Sequence, residues 1–231
     1  MSGAAPRRAY LRARAPFAAY RWLQAGVYRG TSPVMTPSAA YGLLLNLAGV
    51  ESRAALDTPV TQTRPGLPAL RLAVGAVQPA GLSSLYQQLH GYPVGNSSKA
   101  LQERARGAKY HIAPVRRELL VDLDVVIAVE GDPALLDAVG AGLSGAAPRA
   151  YGLPFAGDNN LLFDELRLSD APTPARWYAR LAAGGRAAGS ARLTVHIDRA
   201  DSGRTQAPLF APVDPPAAEP PAEAWVQLPA A

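Results

Sequence analysis

Leu119–Val129 reads LLVDLDVVIAV and, after Glu130 and Gly131, runs into Asp132-Pro133-Ala134-Leu135-Leu136. A short apolar run rich in Val and Ile predicts a strand, with Asp122 and Asp124 on its polar side. Asp132 as N-cap and Pro133 in the first turn predict a helix, with Leu135, Leu136 and Val139 as its apolar stripe and an end within Gly140–Gly145.

A second strand-and-helix pair stands near the start of the chain. Tyr10–Arg14 alternates as a half-buried opening strand that Pro16 ends. Thr36 and Pro37 then supply a cap and a first-turn proline for a helix over Ser38–Leu47 that stops near Gly49. Ser52–Pro68 is polar and proline-punctuated, hence a loop, and Ala69–Val77 reads as another strand. Leu161–Leu168 supplies one more, after a turn-rich stretch whose Asp158, Asn159 and Asn160 are read as turn residues.

The order strand, helix, strand, insertion, strand, helix, strand predicts an α+β fold, a ferredoxin-like (RRM-like) βαββαβ core over residues 1–170. Such a core carries its helices on one face and leaves the other for a partner. Gly81–Arg117 is a long insertion between the second and third strands, too long for a simple hairpin loop, with Lys99, Arg104, Arg106, Lys109, Arg116 and Arg117 against Glu103. Residues 171–205 read as a small β-containing addition, with a helix over Pro174–Leu181 and a strand over Ala191–Asp198. Residues 206–231 hold seven prolines and no Lys or Arg, which predicts an extended or disordered tail with Trp225 as a candidate anchor to a partner.

Charge is unevenly spread along the 231 residues. Residues 1–120 carry 15 Lys and Arg against 4 Asp and Glu, and residues 121–231 carry 8 against 14. No acidic residue precedes Glu51, whereas Arg7, Arg8, Arg12, Arg14, Arg21 and Arg29 all do. An excess of Arg over Lys reflects base composition; the missing carboxylates do not, and they predict a basic surface facing a polyanion. Interleaved aromatics, Tyr20, Trp22, Tyr28, Tyr86, Tyr92 and Tyr110, are candidates to stack on unpaired bases.

Other chemistries are excluded or weakly supported. The absence of Cys removes disulfides, thiolate metal sites and thiol nucleophiles, and a cytoplasmic address is expected. Ala39–Val50, the longest nearly uncharged apolar run, contains Asn46 and is shorter than the roughly 20 residues of a membrane span. Arg7 and Arg8 are not read as an export signal, because Arg12, Arg14 and Arg21 occupy the place of its apolar region. No phosphate loop, GxGxxG or HExxH motif occurs, and His90, His111 and His196 have no metal spacing, so neither cofactor nor metal is expected. Lys109, Tyr110 and His111 juxtapose an ammonium, a phenol and an imidazole that could cleave RNA through its 2′-hydroxyl, although backbone contact is the simpler reading.

Several segments together resemble a known family. Arg14–Phe17 (RAPF) and TPSAAYGLLLNLAG at Thr36–Gly49 are similar to the N-terminal signature of CRISPR-associated protein five, a type I Cascade subunit. GYPVGNSSK at Gly91–Lys99 and YGLPFAGDNNLLFDEL at Tyr151–Leu166 resemble the branch first described as fruiting-body developmental protein S. The resemblance covers roughly Ala9–Leu168. It implies a repeat-associated mysterious protein fold in which a thumb, here the basic insertion, holds the 5′ handle of the CRISPR RNA. Neighbouring surfaces would meet the backbone and large subunits, with target DNA engaged through the complex.

Carried onto this chain, the resemblance and the charge make Arg12, Arg14, Arg21, Ser38, Tyr41, Tyr92, Lys99, Arg104, Arg106, Lys109 and His111 the candidate RNA contacts. At the helix start, N–H groups of Ser38 to Ala40 are candidate phosphate donors. The family's glycine-rich loop is reduced here to Gly152 and Gly157 flanking LPFA, which weakens any RNA role for it. The branch resembled implies a non-catalytic subunit; the alternative is a metal-independent repeat endoribonuclease using Tyr41, Lys109 and His111.

Overall fold

The computed structural model describes residues 5–22, 27–54, 62–93, 110–147 and 152–230, with the side chains of 89–93 and 110–113 left out. Its spine is β5 (Tyr110–Gly131), which contains the predicted Leu119–Val129 strand and extends it towards the N-terminus. β1 (Arg7–Ala18) pairs antiparallel with β5 from Arg7 opposite Gly131 to Ala18 opposite Leu120. β3 (Leu70–Gln78) flanks the other side of the same half, and β6 (Glu165–Ser169) lies outside β1. The four strands thus stand in the order β6-β1-β5-β3.

Both helices form where cap and proline predict them. α1 (Pro37–Leu47) begins on Thr36, whose hydroxyl accepts from the Ala39 amide, and α2 (Pro133–Ser144) begins on Asp132, which accepts from the Ala134 amide. Leu43, Leu44, Leu47, Leu135, Leu136 and Val139 are buried in one core with Ala9, Leu11, Ala13, Leu123, Val125 and Ile127 from alternate positions of the sheet. The helices meet closely at Gly142, where an added Cβ would sit 1.9 Å from the Leu47 carbonyl oxygen, so that position admits only glycine.

Pro16 does not end β1. It falls just beyond Arg14–Glu165, the last β1–β6 pair, where the strand is an edge and a missing N–H costs no shared bond. The excursion is likewise more regular than expected. β4 (Gly81–Pro93) pairs antiparallel with the N-terminal half of β5 from Gly81–Val121 to Pro93–Tyr110, so the arms of the insertion are one long β-ribbon. Its strand character was hidden because Gly81–Tyr86 is exposed on both faces and lacks the period-2 apolar signal. β2 (Tyr28–Arg29) lies parallel to β5 on the ribbon's other side.

The C-terminal part departs most from expectation. Pro174–Leu181 is not a helix: Arg176–Arg180 forms β7, which pairs with β3 through Gly75–Trp177 and Ala76–Arg176. Trp177 is fully buried with its indole over Gly75, and its Nε1–H donates to the Ala217 carbonyl at 2.8 Å. Of Ala191–Asp198 only Ala191–Arg192 is a strand, β8, with His196 bridged to Gln206. The predicted loose tail contains β9 (Leu209–Pro212), paired with β7 and β8, and β10 (Val226–Leu228), paired with β3. Its prolines punctuate short strands whose Phe210, Ala211 and Leu228 are buried.

The helix-free face is therefore not fully open. Tyr10, Ala73, Val126 and Ala128 form a second small core with Ala175, Trp177 and Ala224. Among the described residues no helix is long and apolar enough to cross a membrane.

Candidate nucleic-acid interface

β1 presents Arg8, Tyr10, Arg12 and Arg14 on the helix-free face, opposite Glu130, Ala128, Val126 and Asp124 of β5. Folding brings carboxylates from the second half of the chain against the arginines of the first. Arg12 forks onto Asp124 through Nε–Oδ1 at 2.9 Å and Nη2–Oδ2 at 2.7 Å. That hydrogen bonding raises the Arg12 pKa further and ties Arg12 to a buried carboxylate of β5. Arg14 shares Asp124 at 3.8 Å and Glu165 at 3.3 Å. Arg7 pairs with Asp137 at 2.7 Å.

Arg8 and Arg71 both engage Glu130, and Arg8 also reaches Glu219 at 2.8 Å. Hydrogen bonding from Arg71, then from Arg8, holds the Glu130 carboxyl below its ordinary value against the opposing effect of burial. Trp225 lies over both guanidinium groups, 5.2 Å from that of Arg8 and 4.8 Å from that of Arg71, so within this chain it closes the C-terminal segment onto the sheet.

Arg21 donates to Asp158 at 2.7 Å, and the buried Arg117 of the ribbon donates to the same carboxylate. Burial would raise the Asp158 carboxyl, but Arg117, the Asn160 amide and Arg21 outweigh it and hold it below the ordinary value. Asp158 is thus both the turn residue expected, accepting from Asn160 N at 3.1 Å, and an ion-pair centre that no local motif announces. Gly157 beside it has φ +81°, and a Cβ there would lie 2.3 Å from the Ala19 carbonyl oxygen, which ties this glycine to packing against the end of β1.

The helix-start donors are also consumed internally. Ser38 N donates to the Thr194 carbonyl at 3.0 Å, Ala39 N to Thr36 Oγ1 and Ala40 N to the Thr36 carbonyl, so the expected phosphate donors at α1 are already satisfied. Tyr41 is buried in the core and its hydroxyl donates to the Pro68 carbonyl at 2.8 Å, with burial pushing its pKa up to about 12. The fold thus places Tyr41, expected as an RNA contact and as one of the alternative trio with Lys109 and His111, in the core with its hydroxyl occupied. Asp124 is an ion-paired buried group rather than part of a solvated polar face, and Asp122 is exposed with φ 55°.

Tyr92 and His111 stand opposite each other near the outer end of the described ribbon. Lys99, Arg104, Arg106 and Lys109 lie outside the described residues. The ribbon's described half nevertheless differs from β1. Arg116 is exposed, has no carboxylate partner among the described residues, and donates from Nε and Nη2 only to Ser84 Oγ at 3.3 and 3.2 Å. Tyr86 and Tyr28 flank it in register, 68% and 49% exposed.

A cleft of about 470 Å³ opens beside α1, lined by Tyr20, Leu43, Asn46, Phe155, Phe163 and Arg199 among others; of the residues expected to meet RNA, the stacking candidate Tyr20 and the helix-start Ala39 line it. Among the described residues no His, Asp and Glu cluster could hold a metal ion.

The family model described as CRISPR-associated protein (Cas_Cas5) matches residues 10–149. No curated protein matches the sequence. Among solved structures, a "CRISPR RNA-guided surveillance complex" chain is similar at TM-score 0.56 and 19% identity, over 94% of this chain and 95% of that one. A second, "Crystal structure of Cas protein", is similar at TM-score 0.50 and 18% identity, over 93% of this chain and all of the other. These likenesses are of fold, and the matched residues of the family model, spanning β1 to the end of α2, carry the relationship: this chain belongs to the CRISPR-associated protein (Cas_Cas5) family.

Proposed function

We propose that the protein is a non-catalytic, cytoplasmic subunit of a type I CRISPR Cascade complex that holds the 5′ handle of the CRISPR RNA. Its backbone and large subunits would be the protein neighbours, and target DNA would be met through the assembled complex. In this reading β6-β1-β5-β3 with α1 and α2 is the ferredoxin-like core, and the β4–β5 ribbon is the thumb.

The observation that carries the reading is the contrast in charge pairing. The β1 arginines are neutralised by Asp124, Glu130 and Glu165, whereas Arg116 on the ribbon faces solvent without a carboxylate among the described residues, and Lys99, Arg104, Arg106 and Lys109 belong to the same insertion. A polyanion is attracted where positive charge is uncompensated. Leu153, Phe155 and Leu162, exposed on the segment after α2, are the apolar side chains offered to neighbouring subunits.

The test is co-purification of the chain with its neighbours, followed by small-RNA sequencing. A CRISPR RNA bearing an intact handle is expected, with affinity falling steeply as salt rises; replacing Arg104, Arg106 and Lys109 together with Ala should weaken it without unfolding the chain. A flat salt response, or no RNA at all, rejects the reading. Repeat RNA incubated with the chain and EDTA should remain uncut.

A further inference from the structure

Three strands meet where the ribbon leaves the main sheet, and their register puts Tyr28 of β2, Arg116 of β5 and Tyr86 of β4 in one row across one face. Adjacent strands lie about 4.8 Å apart, so the two tyrosine positions are about 10 Å from each other with Arg116 between them in the row, its guanidinium reaching along β4 to Ser84. Each member of the row is prepared differently. The Tyr28 hydroxyl donates to Glu118, whose other carboxylate oxygen accepts from the Thr31 amide at 3.0 Å, so this ring is anchored at its polar end. The same two bonds engage Glu118, two residues along β5 from Arg116, with Tyr28 and Thr31. Arg116 is steadied by Ser84 Oγ alone and keeps its charge uncompensated among the described residues. Tyr86 is the most exposed large side chain among the described aromatics, and its ring is free on the surface.

Two open π-faces on either side of an unpaired guanidinium match one chemistry, a nucleic-acid strand with unpaired bases: the rings take bases and the cation takes the phosphate between them. A stacked strand advances only about 3.4 Å per nucleotide. A row about 10 Å across therefore suits bases that have been parted, not a continuous stack. We propose that Tyr28, Arg116 and Tyr86 form a platform that binds two splayed bases of single-stranded RNA, with their shared phosphate on Arg116. The proposal rests on the RNA-binding reading above and assigns it a subsite at the base of the ribbon. An apolar protein partner would gain nothing from the uncompensated Arg116, which would be desolvated without a counter-charge.

The experiment titrates the full chain into a single-stranded oligoadenylate carrying one 2-aminopurine, whose fluorescence is quenched on stacking. Wild type is expected to quench it. Tyr86→Ala should lose most of the quenching and bind roughly ten- to hundredfold more weakly, while Tyr86→Phe, which keeps the ring, should behave as wild type. Arg116→Gln should retain quenching but lower the salt dependence of binding by about one unit of slope. The position is exposed, so Tyr86→Ala is expected to keep the wild-type circular dichroism. Equal quenching and affinity for wild type, Tyr28→Ala and Tyr86→Ala overturn the platform, as does an oligoadenylate that wild type does not bind. Unchanged quenching by Tyr86→Ala combined with loss of co-purifying subunits also overturns it and makes the surface a protein contact. In each of these cases the recovery of CRISPR RNA with the wild-type chain reports separately on the handle-binding reading.

Discussion

The first strand and the ribbon are both rich in arginine, yet only the ribbon keeps charge to spend on a ligand. On β1, Arg8, Arg12 and Arg14 sit opposite carboxylates that arrive from more than a hundred residues away. On the ribbon, Arg117 is drawn inward to Asp158 and only Arg116, on the opposite face of the same strand, is left exposed and unpaired among the described residues. Of the six arginines before Glu51, five are ion-paired with partners between Asp124 and Glu219. A run of positive charge in sequence is thus no measure of positive surface; the register of the sheet decides which cations are compensated.

The comparison breaks most visibly at Asp158. Asp158→Asn leaves the buried Arg117 without its counter-charge, and a loss of about 3–5 kcal/mol in urea unfolding is expected, with RNA affinity of the folded fraction unchanged. A variant as stable as wild type would show that this pair does not join the ribbon to the Tyr151–Leu166 segment. The same group sets an acid limb. Its folded pKa lies below its ordinary 3.8, so its contribution is complete above that value and is lost as pH falls through the folded one. Below about pH 4, therefore, wild-type stability should fall more steeply with acid than that of Asp158→Asn.

Arg12→Gln removes a forked, charge-assisted pair from a buried carboxylate. A loss of about 1.5–3 kcal/mol is expected in the same unfolding measurement, without a change in the salt slope of RNA binding. A reduced slope would return Arg12 to the interface. Trp225→Ala should cost about 1–2 kcal/mol and raise hydrogen exchange in β10 before the rest of the sheet, because it loosens the cover over Arg8 and Arg71. Smallest in stability is Arg116→Gln, expected within about 0.5 kcal/mol of wild type, while the salt slope drops by about one. An unchanged slope would put the ribbon's described half on the same footing as β1.

Local signals carried the two helices and the four strands of the core, except that the last strand begins at Glu165 and not at Leu161. Thr36-Pro37 and Asp132-Pro133 are self-contained caps, and Leu119–Val129 and Ala69–Val77 are apolar enough to be strands wherever they pack. The C-terminal region was misread because its cues are weak and its partners distant: Trp177 is drawn into a strand by the open side of β3 and the missing Cβ of Gly75. The site divided in the same way. Arg116, Tyr28 and Tyr86 were visible as basic and aromatic residues, but their alignment depends on three strands separated in sequence. Tyr41 and Ser38 lay in a motif-like segment whose polar groups Pro68 and Thr194 claim.

What the sequence determined by itself was the two helices, the strands they pack on and the family, since caps, apolar periodicity and motif order act over a few residues. Which charges remain available for a ligand was decided only by the tertiary structure. A guanidinium keeps or loses its field according to the carboxylate that strand pairing brings within about 4 Å, and no local pattern encodes that partner.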